Sequence, residues 1–267
     1  MKPLTQRLSL LVASAALSGC GASTEDNPAP NGNSGAGGSG VMSGPDPSAV
    51  CGSSQWGAPR LRRLSRLELQ NTLAAVFPAA KDAWSLSLSA DPISPHGFDN
   101  DSTLLVVGKQ TAAELDSAGD AVGAAVSGAA LTTLLPCSTA SQDAACAQQF
   151  IDQYGKRLFH RALGAEESAR YAALFQLVAS AKDFATGIRF VTRALVQSPH
   201  AVYRREVGTA SGSTYTLTPS EIATELAYDF TGTAPSDALL AKAEAGQLAT
   251  PAALEAHTEF WRKTSAP

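Results

Sequence analysis

The cysteines are the residues whose type and spacing suggest defined chemistry, because a thiol can be oxidised, acylated or bound to a metal. Cys137 and Cys146 enclose a short polar loop, and thiols in an oxidising compartment are commonly bridged. We therefore predict a Cys137–Cys146 disulfide, worth about 2–3 kcal/mol on the chain-entropy model. Cys51 is left over, either free or joined to another chain. The absence of a Cys-x-x-Cys motif argues against zinc ribbons, thioredoxin-type sites and covalent c-type haem attachment.

The N-terminus has the layout of an export signal. A short cationic region precedes an apolar stretch, residues 8–17, which is too short to span a bilayer because that takes about 20 apolar residues. Small residues and a cysteine then follow, in the order Leu17-Ser18-Gly19-Cys20. This order resembles the bacterial lipobox, which implies that residues 1–19 are a signal peptide and that Cys20 is lipidated and anchors the protein to a membrane. The alternative is ordinary cleavage, with Cys20 as an unmodified thiol.

The stretch after the lipobox has the composition of a linker. Residue 21 is Gly rather than Asp, which by similarity to proteobacterial lipoproteins favours the outer membrane. Residues 20–54 are rich in Gly, Ser, Pro and Asn and contain no aromatic residue. Such a segment buries too little apolar surface to offset its ordering entropy. We therefore predict a flexible lipidated tether with an end-to-end distance of roughly 30 Å.

The charge balance bears on the partners of the protein. The chain of 267 residues has a formal net charge of −4, whereas nucleic-acid-binding domains typically carry a basic footprint. We therefore expect no nucleic-acid partner. The predicted partners are the membrane, through the lipid anchor, and an envelope protein.

The elements that follow the tether have helical periodicity and recognisable caps. Ser65 and Glu68 form a capping box, and Thr218 and Glu221 form another with Pro at the first helical position. Alternating patterns typical of strands do not exceed four residues, so we predict an all-α fold of roughly eight helices. The predicted domains span residues 55–130, 131–208 and 214–267. Predicted helices include 104–127, 143–163 with Gly164 as the residue after its end, and 183–198, and residues 200–207 are predicted to be extended.

Three further groups of residues could do chemistry, each with a structural alternative. The loop of residues 97–102 is oxygen-rich enough for Ca²⁺, but it lacks the Glu of an EF-hand, and an Asx turn that caps the next helix is favoured. His200 could ligate a metal or haem, although a histidine bonded to a backbone carbonyl is favoured. A basic cluster could meet anionic lipids, but pairing with acids of its own domain is favoured; it comprises Arg60, Arg62, Arg63 and Arg66.

No catalytic motif stands out. The sequence has no Gly-x-Ser-x-Gly elbow, phosphate loop or His-Glu-x-x-His motif. We therefore predict no catalytic residues, no cofactor and no metal ligands. A hydrolase acting on an envelope or extracellular polymer would require a pocket with two carboxylates about 5–10 Å apart, and this remains an alternative.

Three segments of residues 60–260 resemble a known family. They are Arg62-Arg63-Leu64-Ser65-Arg66 with Gly97-Phe98-Asp99-Asn100; Ala145-Cys146-Ala147 and Phe159-His160-Arg161 with Gln197-Ser198-Pro199-His200; and Leu217-Thr218-Pro219-Ser220-Glu221 with Pro235-Ser236-Asp237-Ala238-Leu239-Leu240. The chain is similar to planctomycete- and myxobacterial-type exported proteins, which are built from planctomycete-specific domains of unknown function that accompany cytochrome c modules. Where the family favours Arg, an apolar residue and Trp, this chain has His160, Asp229 and Thr231.

The resemblance implies an architecture and a redox context. It carries no established activity. In relatives the third domain continues beyond the point that corresponds to residue 267, so we expect a truncated gene product or a short paralogue. Asp229 and Thr231 predict altered packing of the third segment. We expect a non-catalytic helical binding or accessory module, and the alternative that the resemblance implies is an accessory component of an exported cytochrome c-type electron-transfer system.

Overall fold

Helices dominate the computed structural model, which describes residues 60–95, 97, 99–212, 214–250 and 252–255. The all-α prediction is confirmed, with two short antiparallel ribbons in addition. Cys20 and the predicted tether lie outside the described residues. The elements are β1 (Arg60–Arg63), α1 (Arg66–Val76), α2 (Lys109–Ser127), α3 (Leu131–Leu134), a 3₁₀ turn (Pro136–Thr139), α4 (Ala144–Phe159), α5 (Ala165–Ala181), α6 (Phe184–Val196), α7 (Pro199–Val202), β2 (Tyr203–Glu206), β3 (Thr209–Ser211), β4 (Thr214–Thr216), α8 (Pro219–Thr231) and α9 (Asp237–Glu244).

Both predicted capping boxes are present. The Glu68 amide donates to Ser65 Oγ at 3.2 Å, and the Ser65 amide donates to Glu68 Oε2 at 2.7 Å. The Glu221 amide donates to Thr218 Oγ1 at 3.3 Å, and the Thr218 amide donates to Glu221 Oε2 at 2.9 Å. These bonds satisfy amides that a helix leaves without an internal partner, so α1 and α8 begin where the sequence predicts.

Two predicted helix boundaries were wrong. Helix α2 begins at Lys109, after an N-cap at Gly108, and not at residue 104. Of residues 104–107 only Leu105 is buried, so this segment has no helical stripe to pack. Helix α4 ends at Phe159 and not at residue 163, and its C-cap His160 adopts the left-handed conformation (φ 57°). Gly164 is instead the N-cap of α5.

The ribbon β1–β2 joins distant parts of the chain. The strands are antiparallel, with Arg62 opposite Arg204, and the Leu64 amide donates to the Val202 carbonyl at 2.8 Å. Strand β2 accounts for part of the predicted extended segment 200–207, because α7 occupies its first residues. The first and second predicted helical segments are thus hydrogen-bonded to each other.

One hydrophobic core receives side chains from all three predicted segments. The rings of Phe77 and Tyr154 stack at 5.0 Å, and Phe150 lies 4.6 Å from Tyr154. The Tyr154 hydroxyl donates to the Leu134 carbonyl at 2.8 Å, which satisfies a polar group at the centre of the core. Tyr228 of α8 belongs to the same cluster. Within the described residues no helix combines the length and apolar character that crossing a bilayer requires.

Helices α2 and α6 approach each other closely at two buried glycines. A Cβ on Gly123 would lie 2.6 Å from the Arg189 carbonyl oxygen, and one on Gly119 would lie 2.9 Å from that of Arg193. Since both obstacles are backbone atoms, a side chain at either position forces the helices apart.

We expect Gly123→Ala to lower the free energy of unfolding by about 1–3 kcal/mol, because overpacking outweighs the gain in helix propensity. Urea denaturation checks this result. Ser117→Ala, at an exposed position of the same helix, is the control and should change stability by less than about 0.5 kcal/mol. Equal effects of the two substitutions would show that α2 and α6 do not pack at Gly123.

Candidate functional site

A cavity of about 170 Å³ lies where the end of α4, the α7–β2 segment and the start of α8 meet. These elements belong to the second and third predicted segments, so the cavity depends on how the two pack. Its lining is Phe159, His160, Arg161, His200, Tyr203, Arg205, Gly208, Thr218, Ser220, Glu221 and Thr224.

Strand β2 presents its side chains to two different environments. Successive residues of a strand point to opposite faces. Tyr203 and Arg205 line the cavity. Arg204 instead pairs with acidic side chains of other elements, and Glu206 pairs with arginine side chains of β1. The alternation of β2 therefore separates a cavity wall from a network of buried ion pairs.

Arg161, Glu167 and His200 form a linked group at one side of the cavity. Arg161 donates two hydrogen bonds of 2.8 Å to the two carboxylate oxygens of Glu167, and His200 Nε2 lies 3.2 Å from Glu167 Oε1. The bonds from Arg161, the amide of Gly164 and the charges of Arg161 and His200 lower the pKa of Glu167 to about 2. Glu167 therefore neutralises Arg161.

His200 experiences opposing charges. Burial is the main cause that lowers its pKa, and the positive charges of Arg161 and Arg205 act in the same direction, whereas Glu167 acts against them. His200 also packs on the ring of Phe159 at 5.1 Å. The positive charges of Arg161 and Arg205 therefore disfavour protonation of the His200 imidazole.

The carboxylate of Glu221 lines the cavity, but its oxygens are occupied. They accept from the amides of Val207 and Gly208 at 3.2 Å, and from the amide and hydroxyl of Thr218 at 2.9 Å. Gly208 has φ +64°, and a Cβ there would lie 2.7 Å from the Thr216 carbonyl oxygen. This glycine thus allows the turn that brings its amide to Glu221.

Arg205 differs from the other arginines of the site. Among the described residues, eight arginines form ion pairs with carboxylates and three do not, namely Arg66, Arg170 and Arg205. Arg66 and Arg170 are exposed, whereas Arg205 is half-buried against the cavity. A half-buried charge loses hydration, so Arg205 is a group that a ligand of opposite charge would stabilise.

On the other face of β2, Arg204 is the centre of a buried ionic network. Its side chain is 3% exposed, and it donates to Glu225 Oε2 at 2.5 Å and to Asp229 Oδ1 at 2.8 Å, with Glu68 Oε1 at 3.4 Å. Burial, followed by the charges of Glu206 and Asp229, raises the pKa of Glu225, although Arg204 acts in the opposite direction. The carboxylates raise the pKa of Arg204, so it stays charged.

His160 connects the cavity to this network. Its Nε2 lies 3.3 Å from the Tyr228 hydroxyl, which lies 2.8 Å from Thr72 Oγ1. The Arg204 guanidinium packs over the Tyr228 ring at 5.0 Å. Burial, with a further contribution from Arg204, lowers the pKa of His160 to about 3. The imidazole is therefore neutral at physiological pH, and it shares a buried hydrogen bond with the Tyr228 hydroxyl as either donor or acceptor.

The residues predicted for covalent chemistry separate into two groups. Cys137 and Cys146 lie at disulfide distance, with an S–S length of 2.08 Å and Cα atoms 5.7 Å apart. Cys20, the predicted lipidation site, and Cys51 lie outside the described residues. Among the described residues no group of three or more His, Cys, Asp or Glu side chains could hold a metal ion.

The other candidate groups mostly take their structural alternatives. Asp101 accepts from the amide and hydroxyl of Thr103 at 2.9 and 2.7 Å, as in a local turn, but α2 begins further on and this turn does not cap it. His200 binds a carboxylate and not the expected backbone carbonyl. The basic cluster is largely paired, through Arg60–Glu206, Arg62–Glu206 and Arg63–Asp91.

Sequence reasoning missed Arg204, Glu225 and the cavity face of Arg205. The available signal was the extended segment around residues 203–206, whose period of two would have placed neighbouring arginines on opposite faces. The acids that bind Arg204 were not foreseeable, because they lie on α1 and α8, far from β2 in the sequence. Glu225 does not line the cavity, and the acid there, Glu221, is held by backbone amides.

Comparisons with known proteins match three separate segments of the chain. Residues 62–127 match the family described as PSD3, protein of unknown function (DUF1587), and residues 146–206 match PSD5, protein of unknown function (DUF1595). Residues 217–261 match PSD4, protein of unknown function (DUF1592). The chain contains three domains of unknown function. No curated protein and no solved structure matched the chain. The cavity is lined by residues of the second and third matched segments.

Proposed function

We propose that this chain is an exported lipoprotein, held at the outer membrane by acyl chains on Cys20, whose helical part is a non-catalytic binding or accessory module. The leader that ends in Leu17-Ser18-Gly19-Cys20 carries this proposal. Its apolar stretch is too short to remain as an anchor, and two or more acyl chains on one cysteine would give stable attachment.

The cysteine pair supports an oxidising compartment. Cys137, which lies between the first and second matched segments, is at bonding distance from Cys146, the first residue of the second. Such bridges persist in exported proteins and are rare in the cytosol. Export and the disulfide are therefore consistent with each other, although they are read from separate parts of the chain.

The folded part supports a binding role. Arg204 bonds to Glu225 of α8, and Arg161 bonds to Glu167 of α5, so each of these pairs joins separate elements of the fold. The cavity beside them is lined by Arg205, which is half-buried and forms no ion pair with a carboxylate among the described residues. A module of this kind would offer a preformed pocket to a partner in the envelope.

We expect Cys20→Ser to abolish incorporation of labelled palmitate and to move the protein from the membrane fraction to the soluble envelope fraction, because the anchor is the only hydrophobic attachment proposed. Cys51→Ser, which removes the other cysteine outside the Cys137–Cys146 pair, is the matched control and should keep the label. Unlabelled wild-type protein, or intact protein in the cytosol, would contradict the lipoprotein proposal.

We also propose that the partner is part of an exported cytochrome c-type electron-transfer system of planctomycete type. The three domains of unknown function support this candidate through the family resemblance. Protein cross-linked and purified from its own envelope should carry a Soret absorption band contributed by the partner. Preparations that contain cross-linked partners without that band would contradict the redox candidate and leave the binding role intact.

A further inference from the structure

The cavity beside β2 is lined by Arg161, Arg205 and the carboxylate of Glu221, which differ in how they are paired. Arg161 is neutralised by the two-bond contact with Glu167. Glu221 is held by three backbone amides and a hydroxyl. Arg205 is left with no carboxylate among the described residues, although it is half-buried.

Two further features favour an anion at this place. Helix α8, of 13 residues, begins at the cavity wall with Thr218, Ser220 and Glu221, and the start of a helix carries partial positive charge. Tyr203 and Ser220 bring hydroxyl groups to the same wall. A guanidinium together with hydroxyl donors matches the oxygens of a carboxylate or phosphate.

We propose that this cavity binds the oxyanion group of a small ligand, a carboxylate or a phosphate, through Arg205. The inference rests on the binding role proposed above but not on the lipid anchor. Arg205 would supply two parallel N–H donors to two oxygens of the ligand. Ser220 at the start of α8 would face the same group, and the rest of the 170 Å³ would hold the body of the ligand.

His200 serves as the reporter for this site. The groups that face it are Arg161, Arg205 and Glu167. An anion bound to Arg205 would offset the positive charge that disfavours the imidazolium, so the pKa of His200 should rise on binding. The circular dichroism spectrum of each variant checks that the fold is intact.

The experiment is an NMR titration of the histidine rings of the full chain, with ring signals assigned from single His→Gln variants. Inorganic phosphate and acetate are added separately, and sodium chloride is added at matched ionic strength to control for screening. We expect a saturable rise in the pKa of His200 of about one pH unit, with a millimolar midpoint. The anion with the lower midpoint identifies phosphate or carboxylate as the preferred group.

Arg205→Gln should weaken this response at least tenfold, whereas Arg170→Gln, at an exposed arginine, should leave it unchanged. The inference is overturned if Arg205→Gln responds like the wild type, if chloride produces the same shift, or if neither anion produces a saturable change. Should cross-linking in the envelope still yield a partner in that case, the binding role stands and only the anion site fails.

Discussion

Arg204→Met is expected to lower the free energy of unfolding by about 3–5 kcal/mol, because it leaves the largely buried carboxylates of Glu225 and Glu68 without their cation. The Arg204 side chain is 3% exposed and bonds to Glu225 at 2.5 Å, with Asp229 and Glu68 beside it. Urea denaturation followed by circular dichroism measures the change. If the variant fails to fold, Arg204→Lys, which keeps the charge but loses the planar fork, should fold with an intermediate loss.

Arg157→Met is the matched control for Arg204. Arg157 also donates hydrogen bonds to one carboxylate, that of Asp237, at 2.6, 3.1 and 3.3 Å. It also packs over a tyrosine ring, at 5.4 Å. The two arginines differ in burial, since the Arg157 and Asp237 side chains are 27% and 56% exposed. Exposed pairs contribute about 0–1 kcal/mol. A loss for Arg204→Met as small as that for Arg157→Met would show that the Arg204 network is solvated and contributes little to stability.

Glu225 makes the origin of the Arg204 effect testable. Glu225→Gln in the Arg204→Met background removes one uncompensated carboxylate. We expect the double variant to be more stable than Arg204→Met alone, with a coupling of about 0.5–3 kcal/mol. An additive double variant would indicate that lost packing, and not an unpaired charge, explains the cost.

Acid should destabilise this protein through His160. Its pKa in the folded state is lowered to about 3 by burial and by Arg204, whereas an unfolded histidine titrates near about 6.5. The stabilisation is therefore complete above about pH 6.5 and is lost as the pH falls towards 3, because only the unfolded state binds the proton there. The difference amounts to about 2 kcal/mol between pH 7.5 and 5, and roughly 4 kcal/mol by pH 3.5.

The measurement is the pH dependence of the unfolding free energy of the wild type and of His160→Asn. Asparagine tolerates the left-handed backbone that residue 160 adopts (φ 57°), and it does not titrate. The smaller side chain lowers the free energy of unfolding at every pH. The fall in that free energy between pH 6.5 and 4 should nevertheless be smaller than in the wild type. Parallel curves for the two proteins would show that His160 is protonated in the folded state and that its burial is incomplete.

Asp229 and Thr231 bear on the third segment, where the sequence predicted altered packing. Asp229 Oδ1 accepts from Arg204 Nη2 at 2.8 Å, and Thr231 Oγ1 donates to the Ala227 carbonyl at 2.7 Å. Both residues have partners within the fold. Asp229 therefore contributes to a polar contact between α8 and β2, whereas the Thr231 hydroxyl bonds within α8.

Local features of this protein were predictable from the sequence alone. The capping boxes at Ser65 and Thr218 join residues three positions apart, and the Cys137–Cys146 pair is separated by nine. Helical periodicity likewise depends on neighbours one turn away. These interactions are encoded within a few residues, so the all-α class and most helix starts followed from reading the chain.

Only the tertiary structure decided the site. Arg204 meets Glu68 across 136 positions and Thr72 meets Tyr228 across 156, and no periodicity within one segment specifies such a contact. The left-handed turn at His160 likewise depends on where the imidazole is buried. Whether an arginine is paired, as Arg204 is, or left facing a cavity, as Arg205 is, follows from which helices pack against β2. That packing is set by the shared core, because burial is a property of the whole fold.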